Sequence, residues 1–569
     1  MENERGTTMS FRQLKTYISA AAIASMALTV AACGKDEGGS GKPSPSAPAD
    51  TGKPKAEAGP PAKFDPPITV STVKALSDSM QKGITLQSDV LTNNIWSRGY
   101  ESELGIKVNY LWTVPSTQMQ QKMNMAISSN DLPDIIPVSA QQLKMLVDTG
   151  VALDLTELFD KYATPFTKQM WEEDQNIGRS QATVDGKLMA LPNIAGSIDG
   201  SQMIWIRADW LKKLGLQPPK TMEDVAKIAE AFTKKDPDGN GKDDTYGLGL
   251  DKSLNGLNGF FQGYHAYVNG WVKDASGKMV NGTIQPQTKT ALSKLAEMYK
   301  NGYIDKEFAV KDASKASELV VGGKVGMFFG SHSYPFVNLQ DSKNKNPEAD
   351  WRAYPLASVD DQPAKPLING SATSFYAVNK KMKNPEAAIM LYNYYYEKDP
   401  AISKGFDPKF HGINGEQETK PDQQYIWAAL QTFYPKQNMF IHENVKRYIE
   451  TKDKALLDNY WVKDNAEQIE KYLAGDNKLW SSYAWSGPED SAISVISYYN
   501  KNNLFQVNGY IKGSTDTMAQ KGSTLTQIKD ETFTKIIMGT APIDEFDSFA
   551  DKWKKLGGDE ITKEINEMK

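Results

Sequence analysis

The sequence predicts an α/β body divided into two or more lobes. Three observations carry that reading. Strand-like and helix-like segments alternate along the chain, the pattern of helices packed on mixed sheets. Roughly 505 residues follow Lys63, more than one core normally organises. The composition is that of a globular protein, 40% apolar and 10% aromatic, and no run beyond the first 32 residues approaches membrane-spanning length.

The elements can be justified in chain order. Arg12 and Lys15 precede an apolar stretch from about Ile18 to Ala32, too short for a comfortable membrane span. Val30, Ala31 and Ala32 lead into Cys33, the only cysteine of the 569 residues. Ala27 to Gly34 resembles a bacterial lipoprotein signal, which implies that residues 1–32 are removed and that Cys33 carries the lipid. The chain is then expected on the extracellular face of the cell membrane, held there by its lipid alone. After the cysteine, residues 34–63 are Gly, Ser, Pro, Ala, Lys, acidic residues and one Thr, without an aliphatic β-branched or aromatic side chain. Such a stalk buries too little to order itself, and as a coil its ends lie roughly 30 Å apart.

Within the body, Ile68 to Val73 reads as a first strand, and Ile106, Val108 and Tyr110 alternate as a second. A helix rich in Gln and Met follows, then a short buried strand in Leu132-Pro-Asp-Ile-Ile-Pro137. Thr221-Met-Glu-Asp224 is a capping box opening a helix with Val225, Ile228, Ala229 and Phe232 on one face. Leu292, Leu295, Ala296 and Tyr299 repeat that spacing until Gly302. Val325–Phe329 and Ser374–Val378 have the composition of core strands. Asn384-Pro-Glu386 starts a helix, with a cap, a proline at the first turn and an acid at the positive end. Phe546, Phe549, Ala550 and Trp553 line a late helix that Gly557 is expected to close. Doubly wound sheets fit these lengths better than a barrel, since eight even β/α units cannot be counted.

Charge and motif content narrow the function. The net charge of −5 is mildly acidic and well mixed, with no basic stripe to neutralise phosphates, so nucleic acid is excluded as a partner. No HExxH, Gly-x-Ser-x-Gly or Walker motif occurs. Four histidines (His265, His332, His411, His442) and no thiol in the body leave little to build a metal or nucleophile set. A carboxylate pair brought together by folding remains open, as in a lipoprotein carbohydrate hydrolase.

The sharpest local chemistry is the loop Asp236-Pro-Asp-Gly-Asn-Gly-Lys-Asp-Asp244. Asp236, Asp238, Asn240 and Asp244 occupy oxygen-bearing positions one, three, five and nine of a calcium loop, Gly241 permits the turn, and the Lys242 carbonyl supplies position seven. Gly247 stands at position twelve where an EF-hand has glutamate, and Thr245 stands at position ten, so the closing ligand is left open. Calcium here is expected to staple the loop, with no catalytic role.

Taken in order, Gly105-Ile-Lys-Val-Asn109, Leu132-Pro-Asp-Ile-Ile136, Ala190-Leu-Pro-Asn193, Trp205–Gly215, Gly323-Lys-Val-Gly-Met327, Asn384-Pro-Glu-Ala-Ala388 and the ending Phe533–Gly558 resemble the extracellular solute-binding proteins of family 1, in their long lipoprotein branch of Gram-positive bacteria. The resemblance covers essentially the whole body. It implies a periplasmic-binding-protein-like fold of two lobes, each a doubly wound sheet, hinged by chain crossovers near Gly200 to Trp205 and Gly370 to Ser374. Lobe 1 is then residues 64–202 with about 372–430, and lobe 2 is residues 203–371 with about 431–569. It also implies a monomer that closes on a sugar or oligosaccharide and delivers it, chemically unchanged, to the permease subunits of an ABC importer. A sensory or adhesive module on the same fold is the alternative that fold alone leaves open.

Sugars present flat C–H faces to aromatic rings and hydroxyls to amides, acids and histidines. The chain has 12 Trp and 25 Tyr, and candidate ligand contacts sit where strands end or loops begin. They are Trp96 before the second strand, Ser139 and Gln141 after the Ile135 strand, and Asp199 at the first crossover. Tyr264, His265 and Trp271 share an aromatic loop, and Trp480 and Trp485 form a late cluster. His332 and Tyr334 follow the Phe329 strand, where the resemblance implies a sugar-stacking aromatic.

Overall fold

The computed structural model describes residues 63–76, 91–398 and 424–568. Cys33, the leader, the stalk to residue 62 and His411 lie outside them. Two hydrophobic cores divide the described chain between two lobes. The first gathers residues from Val70 to Ile194 and from Phe375 to Leu430; the second gathers residues from Ile198 to Ile368 and from Met439 to Ile565, with Ile177 reaching over. The chain therefore passes from one core to the other between Ile194 and Ile198, returns between Ile368 and Phe375, and crosses again between Leu430 and Met439.

In lobe 1, β1 (Ile68–Leu76) and β2 (Ile106–Pro115) pair in parallel. Thr72 faces Tyr110 but Lys74 faces Thr113, so β2 carries one extra residue opposite Val73. β3 (Ile135–Val138), β4 (Leu191–Ile194) and the late strand Ala372–Val378 form an antiparallel sheet with the late strand in the middle. Asp134 ties β1 to this sheet: the Ser71 N–H and hydroxyl donate to Oδ2 at 2.8 and 2.7 Å, and Thr72 donates to the Ile135 carbonyl at 2.9 Å. Helix α1 (Met119–Ser129) and helix α2 (Ala140–Asp148) cover one face. Trp171 stacks on Phe159 in this core with ring centroids 3.9 Å apart.

Lobe 2 is built on a four-stranded mixed sheet. β5 (Met203–Arg207) and β7 (Val325–Gly330) run antiparallel, β6 (Tyr246–Leu248) joins β7 in parallel, and β8 (Trp351–Tyr354) joins β5. All five residues of β5 are buried, so Trp205 turns into the sheet and packs there. Helix α3 (Met222–Lys234) opens on the capping box read from the sequence, with Thr221 Oγ1 accepting from the Asp224 N–H at 3.1 Å and Asp224 accepting from the Thr221 N–H at 3.0 Å. Its apolar face lies on β7, where Gly326 is obligatory: a Cβ there would meet Phe232 at 2.3 Å and Trp210 at 2.7 Å.

The last third is helical. α4 (Gln437–Thr451) and α5 (Tyr460–Leu473) make a small core of Ile441, Val445, Val462, Ala466 and Ile469. α6 (Trp480–Ser486) packs beside them. α7 (Asp516–Ile537) and α8 (Glu545–Trp553) meet through Phe533, Phe546 and Phe549. The expected stop at Gly557 is a turn instead: its φ of 132° re-aims the chain into one more helix, α9 (Asp559–Glu567).

Candidate functional site

Strand direction puts the chemistry at one edge of each lobe. In lobe 1, Val138 at the end of β3 pairs with Phe375, and Ile194 at the end of β4 pairs with Ala372, both beside the crossings. A cavity of about 340 Å³ opens there, lined by residues of β1, the start of α1, the β3–α2 turn, Asn193, Thr373, Ser374, Tyr376 and Gln431. This is the crevice beyond the carboxyl ends of strands where α/β sheets hold ligands.

Ser139 lines the cavity as the N-cap of α2: its Oγ accepts from the Gln142 N–H at 3.3 Å while Gln142 Oε1 accepts from the Ser139 N–H at 3.1 Å. Gln142, and not Gln141, is therefore the amide at the site. Gln141 faces solvent, because the next position along the helix turn lies about 100° away. Gln142 Nε2 donates to the Gln120 carbonyl at 3.1 Å and to Asn124 Oδ1 at 2.8 Å. Asn193 Nδ2 donates to Ser374 Oγ at 3.3 Å, and its Oδ1 is enclosed without a partner. The Tyr376 hydroxyl accepts from the Gln431 N–H at 2.8 Å. Lys74 Nζ donates to the Ala428 carbonyl at 2.6 Å, and burial lowers its pKa to about 8.

In lobe 2, Gly330 at the end of β7 pairs with Met203, where the chain arrives from lobe 1. His332 and Tyr334 follow. Trp485 Nε1 donates to His332 Nδ1 at 2.9 Å, which fixes His332 as an acceptor at that nitrogen, and burial lowers its pKa to about 4. Phe336, 49% exposed, stands edge-on to Trp485 at 5.8 Å. The result is an aromatic ledge of His332, Phe336 and Trp485 with Tyr334 behind it, laid over Gly330 and against Phe328 at 4.8 Å. Phe336 follows Pro335 in an apolar Phe-Val pair that reads as core, so the sequence alone does not mark it as exposed.

Asp199 lies in the short turn Ser197–Gly200 of the first crossing. Its Oδ2 accepts from Asn438 Nδ2 at 3.0 Å, its Oδ1 is enclosed without a partner, and burial raises its pKa to about 7.

The other candidates are placed elsewhere. Trp96 is fully buried in lobe 1, stacked on Tyr395 at 5.2 Å and 12°. Trp480 is fully buried in lobe 2. Tyr264 packs on Phe260 at 5.4 Å, and His265 Nε2 lies 3.0 Å from Asp360 Oδ1. Trp271 borders a separate cavity of about 530 Å³ between the 269–283 segment and α7. These rings serve cores and loops because long-range packing, invisible in a linear pattern, claims their surfaces first.

The acidic loop is folded without a complete shell. Asp236 accepts from the Asn240 and Gly241 N–H groups at 3.0 and 2.9 Å, and Asn240 donates to Asp238 at 2.8 Å and Asp244 at 3.0 Å. Lys324 Nζ lies 2.6 Å from Asp244 and 3.5 Å from Asp238, so an ammonium stands among these carboxylates. The Thr245 hydroxyl is turned away to the Phe232 carbonyl at 2.7 Å, and a Cβ at Gly247 would lie 2.2 Å from the Ala229 carbonyl oxygen. Neither open position supplies a closing ligand. Among the described residues, no group of three or more His, Cys, Asp or Glu side chains is arranged to hold a metal.

The family model described as bacterial extracellular solute-binding protein matches residues 77–402. The chain belongs to this family. It is 23% identical to the lipoprotein LipO of Bacillus subtilis over 482 residues, 83% of this chain and 88% of that one. It is also 23% identical over 469 residues to the polygalacturonan/rhamnogalacturonan-binding protein YtcQ of the same organism, 80% and 84% of the two chains. Two solved solute-binding proteins share the fold. One is an HMO-binding, ABC-transporter-associated protein of Bifidobacterium longum infantis (TM-score 0.55, 17% identity, 88% of this chain, 98% of the other). The other is an EF-hand mutant of S. pneumoniae FusA with fructo-nystose (TM-score 0.50, 19% identity, 88% and 98%). Among the described residues, no helix is long and apolar enough to cross a membrane.

Proposed function

We propose that this solute-binding protein is a lipid-anchored receptor on the extracellular face of the membrane. It takes a sugar or oligosaccharide between its lobes as a monomer and passes it, unaltered, to the permease subunits of an ABC importer. One observation carries the reading: two separately packed lobes, joined by chain crossings, each present polar or aromatic side chains at the strand ends beside those crossings. The lobe boundaries taken are 64–202 with about 372–430, and 203–371 with about 431–569. Ser139, Gln142, Asn193 and Ser374 bind hydroxyls on one side, and His332, Phe336 and Trp485 stack on the sugar from the other. Contacts made only when both walls touch the ligand bias the lobes toward closure, and the importer reads that shape. The names of the relatives, which include binders of pectic polysaccharide and fructo-nystose, support the ligand class.

Cys33 carries the lipid in this reading, and the 33–63 stalk spaces the lobes from the membrane. Calcium is assigned to the loop of Asp236, Asp238, Asn240, the Lys242 carbonyl and Asp244, entering by displacing the Lys324 ammonium. The EF-hand of the similar S. pneumoniae FusA supports it. Its contribution is loop rigidity.

The test is a thermal-shift screen of the purified protein against mono- and oligosaccharides, followed by chromatography of the recovered sugar. A ligand at a hundred times its Kd stabilises by about 2.7 kcal/mol, and the sugar is expected back intact. Release of product, or no response to any carbohydrate, refutes the proposal.

A further inference from the structure

We propose that the cleft is built for an anionic oligosaccharide, and that the Lys74 ammonium is the group that meets its carboxylate or sulfate. The inference rests on the oligosaccharide reading above and narrows it to a charge class.

Lys74 sits near the end of β1, one residue past the bulge in β2 and paired with Thr113, and lines the lobe 1 cavity. One of its three N–H donors is taken by the Ala428 carbonyl at 2.6 Å. Among the described residues, no carboxylate lies within ion-pair distance, and desolvation alone accounts for its lowered pKa. Four other partly enclosed lysines have acids close by. Lys311 faces Asp305, Lys324 faces Asp244, Lys529 faces Asp530, and Lys343 has Asp350 and Glu348 near enough to oppose its desolvation.

Ser116, Gln120, Ser139, Asn193 and Ser374 supply hydroxyls and amides, and among the described residues no acid lines the cavity. Those groups suffice for a neutral sugar. A desolvated cation without a counter-charge is unfavourable in the free protein, and it becomes favourable when an anion arrives with the ligand and forms a charge-assisted bond. Lysine, as a point charge, suits a carboxylate or a sulfate ester equally, so the ligand series must separate them.

The experiment is calorimetric titration of the purified protein with trimers of galacturonate, glucuronate and mannuronate, each paired with its carboxyl-reduced trimer, and with a sulfated oligosaccharide paired with its desulfated form. The expected result is that at least one acidic member binds about tenfold or more tighter than its neutral twin, and the responding series names the anion. Lys74→Gln is expected to bring that ratio to about one by weakening the acidic member. Equal binding of acid and neutral twin to the unaltered protein overturns the proposal, whether or not the variant folds, and so does a preference that survives Lys74→Gln. A neutral sugar preferred throughout leaves the oligosaccharide reading intact; no binding by any glycan removes both.

Discussion

Replacing Asp199 by Asn should change the pH dependence of stability more than it changes the fold. The carboxyl lies on the first crossing, with Oδ2 bonded to Asn438 and Oδ1 enclosed and unpartnered. Burial raises its pKa from 3.8 to about 7, against the pull of the Asn438 hydrogen bond. Between those two values the folded protein holds a proton that the unfolded chain has released. The associated stability is complete below pH 3.8 and is lost as pH rises through about 7. At 1.36 kcal/mol per pKa unit the loss has a ceiling of ~4 kcal/mol. Asp174, raised to about 6 by burial, works in the same direction, whereas His332 and His442, lowered to about 4, work in the opposite one. A single pH profile therefore mixes signs, and the informative quantity is the difference between the parent protein and Asp199→Asn. Denaturant unfolding followed by tryptophan fluorescence at several pH values from 4 to 8 supplies it. The variant is expected to gain on the parent steadily across that range, by up to ~4 kcal/mol at the top. Parallel profiles would show that the Asp199 carboxyl titrates as an ordinary solvated acid, and the reasoning from its enclosure would fail.

Other perturbations read other parts of the structure. His442 is 4% exposed and bonded through Nδ1 to the Ser486 carbonyl; His442→Gln should remove up to ~3 kcal/mol of the stability lost as pH falls from 6.5 to 4, measured by unfolding at both ends of that window. Lys324→Met removes the ammonium beside Asp238 and Asp244, and should raise calcium affinity, seen as a larger chelator-sensitive shift in Tm; an unchanged shift would mean that Lys324 does not compete. Gly247→Glu, which would complete an EF-hand pattern, should instead destabilise by about 3 kcal/mol without tightening calcium, because its Cβ has no room beside the Ala229 carbonyl. Trp96→Ala should lower stability by about 3–5 kcal/mol, whereas Phe336→Ala should leave stability within about 1 kcal/mol and weaken oligosaccharide binding in calorimetry, since Phe336 is half exposed on the ledge.

How much of this was legible in the sequence follows the range of the interactions involved. The Thr221–Asp224 box closes within four residues, and it is found as read. The strands around Ile68, Ile106, Ile135, Val325 and Ala372 are carried by local β-branched and apolar runs. The final helix was missed because a glycine after a lysine pair reads as a stop, while Gly557 adopts a left-handed φ and the chain turns into a further helix. Gln142 carried a usable signal: Ser139 followed three positions later by Gln is a capping pattern, and it names Gln142 over Gln141.

The site residues divide along the same line. Trp96 looked like a ligand contact because it follows two asparagines in a loop, yet Asn94 caps a helix and Trp96 stacks on Tyr395, almost three hundred residues away in sequence. No periodicity records such a partner. Lys74 is the converse case. Along a strand of alternating residues a lysine reads as solvent-facing, and only the neighbouring strands, the bulge in β2 and the Ala428 carbonyl just ahead of the third crossing enclose it. Aromatic residues are abundant, so most are claimed by packing, and their type says little about function. An enclosed charge with no counter-charge is rare because it is unfavourable. In this protein Lys74 therefore says more about the ligand than the aromatic content of the whole chain.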